Sequence, residues 1–147
     1  MPWINVWLHF VWSTKGRFPY LQDGIRTKVF DHIRQNAKEK NIYIDFLNGY
    51  IEHVHCLISL GPNQTLKQLM QLIKGESSHW INQTRLTKTR FQWQDDYFVA
   101  SVSESNLERV RRYIARQEEH HSKVPFGEEF DDLLLRAGFQ RFKDDWR

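Results

Sequence analysis

The order in which strand and helix patterns alternate is the feature that most limits how this chain can fold. Segments rich in β-branched and aromatic residues predict strands over 4–12, 42–50, 53–60 and 97–103. Apolar residues at helical spacing predict two main helices, over 24–40 and 64–83. The resulting βαββαβ order is typical of the split-βαβ, ferredoxin-like fold, an α+β sandwich.

Each main helix carries one apolar stripe, which would pack against the sheet. The stripes consist of Ile25, Val29, Ile33 and Ala37 in the first helix and Leu66, Leu69, Ile73 and Trp80 in the second. In a ferredoxin-like fold both helices cover one face of the sheet. The opposite face is then open to a ligand or to a further element.

The predicted sandwich is followed by additional helical sequence. A third helix is predicted over about 106–120, where Ser105 and Glu108 have the spacing of a capping box. A short helical stretch follows near 128–137 and is closed by Gly138. We therefore expect one domain, 1–147, with a core over 1–121 and a tail over 122–147.

Length and composition limit the class of protein. The 147 residues suffice for a hydrophobic core, and no apolar run approaches the roughly 18 residues that span a bilayer. The first basic residue is Lys15, which does not fit a signal peptide, and the single cysteine, Cys56, allows no intrachain disulfide. These features predict an intracellular, cytoplasmic protein with no membrane partner.

Charge is unevenly distributed along the chain. Residues 61–117 contain nine Lys/Arg and five Asp/Glu, whereas residues 118–147 contain five and eight. A basic middle suggests a polyanionic partner, although solvated helix faces would give the same count.

The strand 53–60 contains two histidines separated by one valine. Side chains of a strand point alternately to opposite faces, so His53 and His55 share one face while Val54, Cys56 and Ile58 share the other. The apolar set would face the core and the histidines the open face. Alone, the pair is a weak signal, and with seven histidines in the chain it favours surface strand histidines over two metal ligands.

The third helix supplies a second group of candidates. Tyr113 and Gln117 are four residues apart and therefore lie on one helix face. Arg109 joins this face one turn earlier, and Arg112 and Arg116 lie beside it.

Together these segments resemble the HUH single-tyrosine transposases of the insertion sequence 200/605 type. The resemblance rests on an H-hydrophobe-H strand followed by a helix with Tyr and, four residues later, Gln. Five segments match in order and spacing, HFVWSTKGR, the histidine strand, LIKGESSHWIN, FQWQDDYFVASVS and RRYIARQEEHH.

The resemblance implies a metal-dependent enzyme that cleaves and rejoins single-stranded DNA. His53, His55 and Gln117 would bind a divalent metal, Mg²⁺ or Mn²⁺, although imidazoles also suit other ions. Tyr113 would be the catalytic nucleophile and form a 5′-phosphotyrosine, with no nucleotide cofactor. The third helix would then be the catalytic helix, and the family commonly acts as a homodimer.

The resemblance also implies a DNA partner with hairpins. Basic groups bind phosphates, and aromatic side chains stack on unpaired bases. The segment 85–93 offers Phe91 and Trp93 for such stacking. The candidate DNA-binding cations are Lys15, Arg17, Lys74, Arg85, Lys88, Arg90, Arg109, Arg112 and Arg116.

Other histidines receive little weight as site residues. His120 and His121 are interpreted as a solvated helix end, and His9 shares a strand face with Asn5 and Trp7. The tail is expected to fix the catalytic helix or to shield the site.

Three alternatives stay open. One is a non-catalytic nucleic-acid-binding module on the same type of sheet, although HVHCLISL lacks the stacking aromatics of such modules. The second is a replication initiator with the same HUH chemistry. The third is a domesticated relative with the same catalytic residues.

Overall fold

The structure is a computed structural model that describes residues 2–121 and 123–136. Its centre is a four-stranded antiparallel sheet of β1 (Trp7–Ser13), β2 (Tyr43–Gly49), β3 (His53–Ser59) and β4 (Phe98–Val102), in the order β2-β3-β1-β4. With helices between the strands, this is the predicted ferredoxin-like α+β sandwich. The histidine strand β3 lies inside the sheet, between β2 and β1.

The helices between the strands cover one face of the sheet. They are α1 (Asp23–Glu39), α2 (Leu66–Met70) and α3 (Glu76–Gln83), with a π-helical turn, Gln71–Gly75, joining α2 to α3. The Thr65 hydroxyl caps α2 by accepting a hydrogen bond from the Gln68 amide, 3.1 Å away. Leu69 and Ile73 are buried as expected, whereas Leu66 is 37% exposed, so its assignment to the apolar stripe was wrong.

In the described part of the chain, three further helices follow β4. They are α4 (Leu107–Ala115), α5 (Gln117–His121) and α6 (Phe126–Arg136). Leu107 and Ile114 of α4 pack on Leu57 of β3, and Phe126 of α6 packs with Val11 of β1 and Phe98 of β4. These helices therefore cover the face of the sheet that the two main helices leave open.

The predicted third helix is divided in two at Arg116, whose φ of −99° and ψ of 17° are not helical. The Asn48 side-chain amide of β2 donates to the carbonyls of Ile114 and Ala115, at 3.0 and 3.2 Å. A side chain that bonds these carbonyls competes with the amides of the next turn, which interrupts the helix.

The capping box predicted at Ser105 and Glu108 is not formed. Asn106 is the N-cap residue and makes no side-chain capping bond, while a 3-10 turn, Glu104–Asn106, leads into α4. The Glu108 carboxylate instead accepts a hydrogen bond from Arg111. The closing residue expected for the last helix, Gly138, lies outside the described residues.

The β2–β3 hairpin depends on a glycine at its tight end. A Cβ on Gly49 would lie 2.1 Å from the carbonyl oxygen of His53, so only glycine allows this approach. The hairpin thereby fixes the start of the histidine strand. Among the described residues no helix is long and apolar enough to cross a membrane.

Candidate metal and tyrosine site

His53 and His55 lie on the face of β3 that α4, α5 and α6 cover. Both are 0% exposed, and their rings are 5.1 Å apart and nearly perpendicular. Val54, Cys56 and Ile58 belong to the opposite core, as the strand alternation predicted. The histidines do not lie on a solvent-exposed sheet face, because the chain's own helices bury them.

Residues of α4 and α5 meet these histidines within one chain. Gln117 is 0% exposed, and its Oε1 lies 3.0 Å from Nε2 of His53. The Tyr113 ring centre is 5.4 Å from that of His55. The structure thus brings together His53, His55, Tyr113 and Gln117.

The hydrogen bonds around His53 leave a nitrogen lone pair directed into the site. Its Nδ1 lies 2.7 Å from the Glu52 carboxylate, which can only accept when ionised, so Nδ1 carries the proton. Nε2 of a neutral ring is then an acceptor, yet it faces the acceptor Oε1 of Gln117. Two converging acceptors fit a cation between them, so these residues suit a divalent metal.

His9 orients His55 from the neighbouring strand. Nε2 of His9 lies 2.9 Å from Nδ1 of His55, and the rings are stacked. A hydrogen bond to the second ring nitrogen fixes the orientation and tautomer of a metal-ligating histidine. His9 therefore belongs to the site, and the low weight given to it was wrong.

Burial keeps the imidazoles of His9 and His55 neutral near pH 7. It is the largest cause that lowers the pKa of His9 to about 3, and it lowers the pKa of His55 to about 4. Only a neutral imidazole has the lone pair that binds a metal.

Glu129 of α6 is the site residue that sequence reasoning missed. It is 4% exposed, and its Oε1 lies 2.9 Å from Nε2 of His55. Its Oε2 accepts a short hydrogen bond from the Tyr113 hydroxyl. A carboxylate between Phe126 and Phe130, inside an otherwise apolar helix stripe, was the signal available in the sequence.

Glu129 changes the proton affinity of its neighbours. Burial opposes ionisation of Glu129, but hydrogen bonds from His121 and His55 prevail and hold the pKa of its carboxyl well below the usual range. Burial and the Glu129 carboxylate together raise the pKa of Tyr113 above its usual value. With Glu129 in this position, the Tyr113 phenol stays protonated.

The histidines at the end of α5 also belong to this cluster. Nε2 of His120 and Nε2 of His121 each lie 3.1 Å from Oε2 of Glu129. The His121 side chain is only 2% exposed and that of His120 38%. The interpretation as a solvated helix end was wrong for His121, because α6 folds back over it.

The predicted DNA-binding cations differ in their exposure. Exposed side chains are found at Lys15, Arg17, Arg85, Lys88, Arg90, Arg109, Arg112 and Arg116. Lys74 is partly buried, and its ammonium donates to the carbonyls of Gln94, Asp95 and Asp96 at 2.6–3.3 Å.

The aromatic residues assigned to base stacking are part of the core. Phe91 is 0% and Trp93 7% exposed, and the Trp93 indole donates to the Ser77 hydroxyl, 2.9 Å away. Their assignment to base stacking was wrong, because the two rings pack edge to face inside the fold. On the surface of the same segment, Arg85, Lys88 and Arg90 line a cavity of about 700 Å³.

Comparisons with known proteins support one family. The family described as "Transposase IS200 like" matches residues 3–117. ISDra2 transposase TnpA of Deinococcus radiodurans is 24% identical over 114 residues, which cover 74% of this chain and 81% of that protein.

Two solved structures share the fold. A candidate transposase from Deinococcus radiodurans has a TM-score of 0.64 at 23% identity and matches 80% of this chain and 95% of its own. A REP-associated tyrosine transposase bound to a REP hairpin has a TM-score of 0.63 at 16% identity, with coverage of 84% and 73%. The family match extends over most of the chain and includes His53, His55, Tyr113 and Gln117. The chain therefore belongs to the IS200-like transposase family.

Proposed function

We propose that this transposase cleaves and rejoins single-stranded DNA beside hairpins through a 5′-phosphotyrosine on Tyr113. The observation that carries the proposal is the meeting of Tyr113 and Gln117 with two buried histidines, His53 and His55. Membership of a transposase family implies DNA strand transfer. A solved structure with the same fold, the REP-associated tyrosine transposase, is bound to a REP hairpin.

His53, His55 and Gln117 would hold a divalent metal, Mg²⁺ or Mn²⁺. All three are neutral ligands, so when bound, the ion retains its full charge to polarise the scissile phosphate and stabilise its oxygens. The structural support is the convergence of His53 Nε2 and Gln117 Oε1, together with the His9 contact that orients His55.

The Tyr113 hydroxyl and the DNA phosphodiester supply every atom of the covalent step. The Tyr113 Oη forms a bond to phosphorus, and the bond from phosphorus to the 3′-oxygen breaks. The phenolic proton is transferred, through solvent or side chains, to that leaving oxygen, giving a free 3′-OH. Reversal with another 3′-OH rejoins the strand and releases Tyr113.

The exposed cations would bind the DNA backbone. Lys15 and Arg17 lie at the end of β1, next to the start of the histidine strand, because Thr14 donates to the Glu52 carbonyl. Arg85, Lys88 and Arg90 surround their own cavity, and Arg109, Arg112 and Arg116 follow the catalytic helix. Lys74 is the least available candidate, because its ammonium is already engaged.

A homodimer remains a prediction. One chain alone brings Tyr113 beside His55, so the site does not need a second copy to contain all four residues. Size-exclusion chromatography with light scattering, with and without hairpin DNA, would determine the stoichiometry.

The testing experiment uses labelled single-stranded DNA with hairpins from the flanks of the gene. Wild type and Tyr113→Phe are incubated with Mn²⁺ or EDTA and resolved on a denaturing gel. A metal-dependent, protease-sensitive adduct is expected with wild type and none with Tyr113→Phe, because the nucleophilic oxygen is removed. Hairpin binding without any adduct would favour a non-catalytic module, and an adduct with Tyr113→Phe would refute the nucleophile.

A further inference from the structure

The tail helix α6 fits tightly into the site. The Phe126 ring stacks on the His53 imidazole with ring centres 4.1 Å apart and planes 9° from parallel. The Arg17 guanidinium lies over the Phe126 ring, 5.3 Å from its centre. These contacts fix the first turn of α6 and direct Glu129, one turn later, at the histidines.

The Glu129 carboxylate is buried without a permanent cation beside it. Within the described residues its ion-pair partners are all histidines, and no lysine or arginine lies within 4.0 Å of it. A buried carboxylate is costly unless an opposite charge compensates it. Without a metal, this charge depends on protons carried by neighbouring imidazoles such as His121, whose pKa the carboxylate raises against the effect of burial.

The same atoms meet the requirements of a metal site. Four ligand atoms, one from each of His53, His55, His121 and Glu129, all lie within 4.8 Å of one another. Three imidazole nitrogens and one carboxylate oxygen form a set typical of four-coordinate zinc. In addition, Nδ1 of His121 lies 2.7 Å from the Val124 carbonyl, which selects Nε2 as the ligand.

We propose that His53, His55, His121 and Glu129 form a second, closed ligand set that binds a zinc-type divalent ion. The inference deepens the proposed function, because His53 and His55 would serve both sets. In the closed set His121, at the end of α5, and Glu129 of the tail helix α6 take the place of Gln117 and a DNA phosphate. A metal with four protein ligands keeps no position for substrate, so this form stores the ion without presenting it to DNA.

Gln117, His121 and Glu129 each belong to one of the two ligand sets and not to the other. Substitutions at these residues therefore show which set binds the metal. Zn²⁺ affinity is measured by competition with a chromophoric chelator, and Co²⁺ is used as a spectroscopic probe of four-coordinate geometry. The variants are Glu129→Gln, His121→Ala and Gln117→Ala, in the full-length chain. Glu128→Gln and His79→Ala are controls of the same residue types, because both positions are exposed and lie outside both ligand sets.

Loss of His121 or Glu129 is expected to weaken Zn²⁺ binding strongly. Glu129→Gln and His121→Ala should each lower the Zn²⁺ affinity by more than about tenfold. Even substitution of a residue that only hydrogen-bonds to a metal ligand lowers metal affinity by about 10- to 100-fold. They should also remove the visible bands of four-coordinate Co²⁺. Glu128→Gln, His79→Ala and Gln117→Ala should keep both the Zn²⁺ affinity and the Co²⁺ bands.

Two results would overturn the closed site. One is wild-type Zn²⁺ affinity in both Glu129→Gln and His121→Ala, and the other is a loss confined to Gln117→Ala. Far-ultraviolet circular dichroism of each variant identifies a folding failure, and Glu129→Asp, which keeps the charge, should regain part of the affinity. The adduct assay with Mn²⁺ is independent, so failure of the closed site and failure of Tyr113 chemistry give different results.

Discussion

The two faces of strand β3 are equally buried but have opposite chemistry. Val54, Cys56 and Ile58 are 0% exposed in the core beneath α1, α2 and α3. His53 and His55 are also 0% exposed, beneath α4, α5 and α6. Burial alone therefore does not distinguish the structural face of this strand from the functional one.

The difference lies in what each face requires of its neighbours. Apolar side chains are stabilised by removal from water, in proportion to area and without directional demands. Buried imidazoles need a partner for each nitrogen. Here Glu52 is the neighbour of His53 in sequence, whereas the other partners, His9, Gln117 and Glu129, come from distant segments. Loss of one partner leaves a buried polar group unsatisfied, at a cost of about 1–3 kcal/mol.

The largest stability effect is expected on the apolar face. Ile58→Ala should lower the free energy of unfolding by about 2–5 kcal/mol, because it opens a cavity at a fully buried position. Urea denaturation measures the change. Ile4→Ala is the matched control at a position that is 41% exposed, and it should cost less than about 0.5 kcal/mol. Equal costs at both positions would contradict the packing described.

The polar face should make stability depend on pH. The pKa of His9 is lowered to about 3 in the folded protein, against an ordinary value of 6.5. Above pH 6.5 the ring is neutral in both the folded and the unfolded chain, so His9 takes nothing from the free energy of unfolding. As the pH falls below 6.5, the unfolded chain binds a proton that the folded chain refuses. Stability should then fall by up to ~1.4 kcal/mol per pH unit from this group.

His9→Gln tests that pH dependence. Glutamine can still hydrogen-bond to His55 Nδ1 but does not titrate, so the slope between pH 6.5 and 4 should become shallower. Urea denaturation at several pH values measures the slope. His79→Gln, at an exposed position, should leave it unchanged, and an unchanged slope in His9→Gln would exclude His9 as its source.

The smallest loss of stability is expected at Asn48, the β2 residue whose side chain bonds the break between α4 and α5. Asn48→Ala removes the two bonds to the Ile114 and Ala115 carbonyls and should cost about 0.5–1.5 kcal/mol. Amides of α5 should exchange faster with deuterium, while those of β3 are less affected. Asn63→Ala, at an exposed position, is the control. Unchanged exchange in α5 would show that Asn48 does not fix the break.

Local periodicity predicted the sandwich but not how α4, α5 and α6 cover the histidine face of the sheet. The faces of β3 and the stripe of α1 follow from residue spacing, which is a property of each element alone. Phe91 and Trp93 were misplaced because aromatic side chains suit both a core and a base-stacking surface. Glu129 and His121 were missed because their place depends on α6 folding back over the sheet, a long-range contact that no spacing encodes.

Cys56, at the centre of the apolar face, has a practical consequence. Burial raises the pKa of its thiol well above the usual range, and the thiolate is the reactive form. The folded protein should thus behave toward thiol reagents as if it had no cysteine. A cysteine introduced at an exposed position of α6, such as Asp132, would carry a fluorophore or spin label as a unique reporter of tail movement.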